Sequence, residues 1–206
     1  MSDQGSVDLH SACLQNVEAI LTGIDTVKYL VDAMSDLGRQ FTRENVKCVQ
    51  PVEGKATAEA GYMWRDTSMA NRGDIVLDET KLRTPKDVER SLRHELIHAF
   101  DDVRGYVDPT NCYHQACSEI RAARLSGDCF FQEEVKRGHF DIFTSGRSCV
   151  TRRASLAVEH NPLCRSFGGR AVEVVFPRCY SDYEPFAAPL YSMGSYHRSS
   201  TVLPKG

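Results

Sequence analysis

His94-Glu95-Leu96-Ile97-His98 constrains this chain more than any other short run in it. On a helix, two histidines four apart stand one turn apart on one face. Two imidazoles so placed can hold one metal ion, and the glutamate beside them can reach a water instead of the metal. Zinc held there lowers the pKa of that water from about 15.7 to about 7. Glu95 is then placed to take the proton and to pass it on to a leaving amine. The pattern therefore implies hydrolysis, with a peptide bond as the expected target. The plainer reading is a helix whose two histidines pair with surface carboxylates.

The flanking residues favour the catalytic reading. Thr84-Pro85-Lys86-Asp87 reads as a helix start: Thr84 as N-cap, Pro85 at the first helical position, an acid in the first turn. Val88, Leu92, Leu96 and Ala99 then make an apolar stripe, widened by Ile97 and Phe100, with no Pro or Gly until Gly105. Leu96 and Ile97 are expected in the core.

Catalytic zinc takes three protein ligands and keeps one position open. A second helix pattern starts near His114 and runs to Gly127, which is well placed to end it. Glu119 in that helix is the expected third ligand if the helix packs against the first. His114 is the alternative, and its plainer role is a helix-start histidine. For Glu119 the plainer role is an ion pair with Arg121, Arg124 or Arg93. One of Asp101 and Asp102, with Asp101 preferred, can hydrogen-bond the second ring nitrogen of a ligand histidine. The competing reading is a solvated acidic helix end.

A chain of 206 residues with 41% hydrophobic content suits one domain with a buried core. Net charge is −3 and no basic cluster is present, which argues against a nucleic-acid partner. No run of 18 apolar residues occurs, so no membrane-spanning helix is expected. The first residues lack both a secretory signal and an Arg-rich targeting helix, which by itself reads as cytosolic. The eight cysteines point the other way. They are even in number, spread along the chain and contain no CxxC pair, so up to four disulfides are expected, Cys117 being in one. An oxidising compartment reached without a cleaved signal, such as the mitochondrial intermembrane space, reconciles the two. Eight reduced thiols in a cytosolic protein is the other reading.

Along the chain, the spacing predicts one amphipathic helix of about six turns over 15–37, stopped by Gly38. Residues 45–72 are polar and Gly-containing. Residues 73–78 read as a strand, whose free edge an extended substrate can join. Phe130, Phe131, Val135, Phe140, Ile142 and Phe143 are expected to cover the site or wall it. Residues 149–161 read as helix, and 168–176 as helix in preference to strand. The expected organisation is a flexible N-terminus (1–12), a domain (13–186) and a disordered tail (187–206).

Four segments resemble a known family: His94-Glu-Leu-Ile-His-Ala-Phe-Asp101, the run His114 to Cys129, Cys149-Val-Thr-Arg-Arg-Ala-Ser-Leu156, and Cys179-Tyr-Ser-Asp-Tyr-Glu-Pro-Phe186. The family is the mitochondrial intermembrane-space metalloproteases that mature a subunit of the ATP synthase membrane sector, some named Ku-binding proteins. The resemblance covers roughly 13–186. It implies an α+β, zincin-like (gluzincin-type) metalloprotease fold, mainly helical with a small sheet. It implies zinc on His94 and His98, with Glu95 as catalytic glutamate. It further implies a place peripheral to the inner membrane, import by oxidative trapping, a precursor protein substrate, and assistance to ATP synthase membrane-sector subunits. The chain departs from the family where cysteine is usual, near Val52, at Asp78 and at Val103, with Cys112 nearby. A non-proteolytic assembly chaperone that keeps the zinc fold is the alternative function. A scaffold needs the ligands but not the base, so an intact Glu95 favours catalysis. A nuclear DNA-repair partner, suggested by the alternative family name, is disfavoured by the missing basic patch and the cysteine content.

Overall fold

The computed structural model describes residues 8–50, 58–105, 107–140 and 145–188. The chain is α+β, mostly helical, with one small sheet. Helix α1 (Leu9–Gly23) leads into α2 (Asp25–Asp36), and strands β1 (Val46–Val49), β2 (Ala60–Tyr62) and β3 (Ile75–Asp78) follow. Helices α3 (Pro85–Val103), α4 (Cys112–Leu125), α5 (Phe131–Lys136), α6 (Ser145–His160) and α7 (Gly168–Tyr180) complete the described part.

Helix α3 forms as its sequence dictates. The Thr84 side chain accepts from the Asp87 N–H and Pro85 occupies the first turn. The predicted stripe is buried, and Leu92, Leu96 and Ile97 are inaccessible to solvent. Burial of each such side chain is worth about 1.5–3 kcal/mol. They join Val17, Leu30 and Leu77 in a core shared by α1, α2, the sheet and α3. A second core lies between α4, α6 and α7, around Ile120, Ala154 and Val172. The motif helix therefore has one face in the first core, while α4 bridges it to the second.

Three expectations are corrected. The stretch 15–37 is two helices, because Ile24 adopts an extended conformation (φ −100°, ψ 112°) after Gly23. Its apolar steps continue across the break, which is why periodicity alone does not reveal it. Helix α1 also begins at Leu9, ahead of residue 13, because Asp8 accepts from the His10 N–H and caps it. The strand before α3 has no free edge: β3 is central, parallel to β1 and antiparallel to β2. Its partners lie in the stretch 45–72, where short strands carry too little alternation to announce themselves. Of the expected helix in 168–176, α7 is the outcome, and α6 covers 149–160. Residues 1–7 of the expected flexible N-terminus, Val52, Ile142, Phe143 and residues 189–206 of the expected tail lie outside the described residues.

All eight cysteines are paired: Cys13–Cys48, Cys112–Cys164, Cys117–Cys179 and Cys129–Cys149. The first ties α1 to the sheet. The second and third fasten α4 to the segments around α7, and the last joins the end of the α4–α5 connection to α6. Among the described residues no helix is long and apolar enough to cross a membrane.

Candidate active site

Helix α3 presents His94, Glu95 and His98 to a cleft whose far wall is α6 and whose rim is β2. Helix α4 packs beside α3 and brings Glu119 to the two histidines. Gly127 follows the end of α4 with φ +90°, a conformation that suits glycine, and turns the chain back toward α3. The next residue, Asp128, thereby reaches His94.

The ring atoms are set by hydrogen bonds. His94 Nδ1 lies 2.9 Å from Asp128 Oδ2. A carboxylate only accepts, so Nδ1 carries a proton, and Nε2 is the nitrogen left to meet a metal. His98 Nδ1 lies 2.7 Å from Ser118 Oγ, and that hydroxyl donates to Asp101 Oδ2 at 3.0 Å. Ser118 has one proton to give, so here too His98 Nδ1 is the donor and Nε2 is free. Both free nitrogens face Glu119: His94 Nε2 is 3.7 Å from Oε2 and His98 Nε2 is 3.7 Å from Oε1.

Those distances are long for hydrogen bonds. They suit three ligands around one ion: tetrahedral bonds of about 2.0–2.1 Å put ligand atoms about 3.3–3.4 Å apart. The three ligand atoms lie within 4.8 Å of one another. Two nitrogens and one carboxylate are the donor set of several zinc hydrolases, so the residues fit the ion. His114 lies outside this cluster: it is exposed and its Nδ1 accepts from the Asp108 N–H. Nor do the arginines claim Glu119: Arg121 binds Asp101, Arg124 binds the Tyr183 hydroxyl and Arg93 binds Glu89 and the Ser126 carbonyl.

The electrostatics divide the carboxyls by role. Burial pushes the Glu95 carboxyl up to about 7; His94 acts against this, and Glu119 adds to it. Burial would raise Glu119 as well, but the two histidines hold it below its ordinary value. Burial brings His98 down to about 4. Burial also acts against the charged form of His94, yet Asp128 and Glu119 outweigh it and hold this ring well above its usual value. Burial raises Asp101, opposed by the Arg121 and Arg104 guanidiniums.

The cleft walls differ from expectation. Phe130, Phe131, Val135 and Phe140 do not line it, and Phe140 is 71% exposed. Glu133, Lys136, Arg137 and Arg153 line it instead. Arg153 Nη2 contacts Asp128 Oδ2 at 2.9 Å, which explains part of the Cys149–Leu156 motif. Trp64 packs edge-on against Tyr62 and His98. Sequence reasoning missed Asp128 and Ser118. Asp128 adjoins the predicted helix stop at Gly127, and Ser118 precedes Glu119, but neither spacing alone indicates a histidine partner. Asp101, expected to touch a ligand histidine, reaches His98 only through Ser118.

The sequence pattern of the peptidase M76 family matches residues 11–187. This chain belongs to that family. It is accordingly a metallopeptidase. Similar to it is the mitochondrial inner membrane protease atp23 of Schizosaccharomyces pombe, 36% identical over 177 residues (84% of this chain, 90% of the relative). The mitochondrial inner membrane protease ATP23 of Saccharomyces cerevisiae is 32% identical over 197 residues, covering 89% of this chain and 82% of the relative. The Homo sapiens mitochondrial inner membrane protease ATP23 homolog is 36% identical over 162 residues (78% and 63%). No solved structure matches the chain. The M76 match encloses both histidines, Glu95, Glu119 and every paired cysteine.

Proposed function

We propose that this M76 member is a zinc-dependent endopeptidase of the mitochondrial intermembrane space, peripheral to the inner membrane. Its proposed substrate is the precursor of an ATP synthase membrane-sector subunit, and it aids assembly of that sector. The observation that carries the hydrolytic part is the convergence of His94 Nε2, His98 Nε2 and the Glu119 carboxylate beside a buried Glu95 on an open cleft. A helix-borne motif of this kind, with a glutamate from the next helix and a sheet above, supports a zincin-like fold of gluzincin type. Relatives named as mitochondrial inner membrane proteases support the location, as does a described part without a spanning helix.

Zinc bound there supplies Lewis-acid polarisation and an acidified water. The chain's own residues do the rest. His94, His98 and Glu119 hold the ion, and Asp128 and Ser118 fix the ring orientations. Glu95 accepts the proton of the attacking water and delivers it to the leaving amine, a role suited to a carboxyl near 7. The Met63 N–H bonds the Asp74 carbonyl and the Asp78 N–H bonds the Glu59 carbonyl, so odd-numbered residues of β2 turn toward β3. The backbone groups of Ala60 and Tyr62 are left on the outer edge, and Tyr62 already meets Glu95 there. An extended substrate adds to β2, where the sequence reading had put it on β3.

Zinc content and peptidase activity together test the reading. Wild type should hold one zinc, Glu95→Gln should keep it and lose about 10²–10⁴-fold in kcat, and Glu119→Ala should lose the metal while His114→Ala retains it. Normal cleavage by Glu95→Gln would sink the mechanism, and a folded wild type that holds no zinc and cleaves nothing would leave the assembly role as the function. For the substrate edge, backbone N-methylation of a cleaved peptide on one side of the scissile bond should abolish binding. Undiminished binding for every methylated position would exclude strand addition.

A further inference from the structure

The motif Cys179–Phe186 starts at the end of α7 and runs past it, and it supplies no group to the three-residue cluster or to the cleft. It is nonetheless tied to one ligand. Arg121, fully buried in α4, spends its whole guanidinium on three residues. Nε bonds Asp101 Oδ1 and Oδ2 at 3.0 and 3.2 Å. Nη1 donates to the Asp182 carbonyl at 2.9 Å and meets the Asp182 carboxylate at 2.5 Å, and Nη2 donates to the Glu184 carbonyl. Arg104 repeats the arrangement from α3, contacting Asp101 Oδ1 at 3.0 Å, Asp182 Oδ2 at 2.9 Å and Glu184 Oε2 at 2.8 Å. Asp101 in turn accepts from Ser118, and Ser118 accepts from His98.

We propose that the Asp182–Glu184 turn acts through Arg121, Asp101 and Ser118 to position His98, so that the turn, distant in sequence, is a working part of the metal site. The reasoning rests on proton direction. Nε2 of His98 can bind a metal only while Nδ1 holds the ring proton. Nδ1 holds it because Ser118 is an acceptor toward His98, and Ser118 is one because its own proton goes to Asp101. Asp101, 1% exposed, is an acceptor with no proton to give back when it is a carboxylate, and a carboxylate at that depth requires paired cations. Arg121 and Arg104 are those cations, and the turn engages further Nη donors of both and fixes their planes. His94 has a different arrangement: Asp128 contacts it directly, and Arg90 and Arg153 contact Asp128. The two ligands thus answer to separate parts of the chain. Ser118, Asp101 and Arg121 are positioning residues.

This rests on the zinc reading above, but its test does not depend on it. In the metal-free full-length protein, ¹⁵N NMR of the His98 ring should show Nδ1 protonated. Ser118→Ala should give a mixture of tautomers with the His94 signals unmoved, Ser118→Thr should restore the wild-type pattern, and Asp182→Asn should move His98 in the same direction as Ser118→Ala but less. Zinc affinity, measured by chelator competition, should fall about 10–100-fold in Ser118→Ala and recover in Ser118→Thr. An unchanged His98 tautomer in Ser118→Ala would overturn the proposal. So would an Asp182→Asn protein that is destabilised to heat yet leaves the His98 ring unmoved, since the turn would then be structural only. Wild type that binds no zinc but keeps the His98 pattern would refute the zinc reading and leave the relay standing.

Discussion

Glu95 and Glu119 are the same residue type lining one cleft, and their surroundings separate them. Glu95 is 7% exposed, and burial sets its carboxyl near 7; Glu119 faces two imidazoles and stays ionised. One carboxyl can exchange a proton near neutral pH while the other serves as a fixed charge. Because Glu95 must be ionised to accept a proton, kcat/KM should fall as pH drops through about 7 and below. A profile flat from pH 8 to 5 would remove Glu95 as the base. Much of this site is legible in the residues themselves. His94, Glu95 and His98 follow from a local period, and Glu119 from a second helix of suitable length. Asp128 and Ser118 do not, because a second contact to a histidine is made by whichever side chain the packing delivers.

At the scale of elements, the motif helix depends on its cap. Thr84 satisfies the Asp87 N–H, and its hydroxyl donates to the Asp87 carboxylate at 2.6 Å. Thr84→Ala should cost about 1 kcal/mol in denaturant unfolding while leaving zinc affinity within a factor of two, since the ligands lie two or more turns away. A large loss of zinc would mean that fraying at Pro85 reaches His94. Caps and glycine stops of this kind can be read from sequence because they act within four residues. Sheet order cannot. Nothing local in Ile75–Asp78 reveals that β3 is flanked on both sides, and the short β2 lies in a polar stretch that does not announce a strand. The break at Ile24 escaped for a related reason: a helical period that continues in phase does not record a change of direction.

For the molecule as a whole, two cores meet at α4, and the Asp182–Glu184 turn closes over their junction through Arg104 and Arg121. Burial acts to raise Asp182, but Arg104 and Arg121 outweigh it and hold the carboxyl below its ordinary value. A carboxyl lowered on folding stabilises the fold above its unfolded value of 3.8, and that contribution is lost as pH falls through the folded value. Asp182→Asn should therefore melt below wild type at pH 6, with the gap narrowing as pH falls below about 4. A gap independent of pH would assign the loss to packing and not to charge.

By itself the sequence determined what acts over short range: the motif helix with its cap and buried stripe, the two histidines with a glutamate beside them, and an even set of cysteines fit for bridging. Each follows from the geometry of a few consecutive residues. Only the tertiary structure decided the cysteine partners, the central place of β3 in the sheet, the replacement of Asp101 by Ser118 at His98, and the reach of the Asp182–Glu184 turn toward the site. Those depend on contacts between residues far apart in the chain, and such contacts are chosen by how the two cores pack.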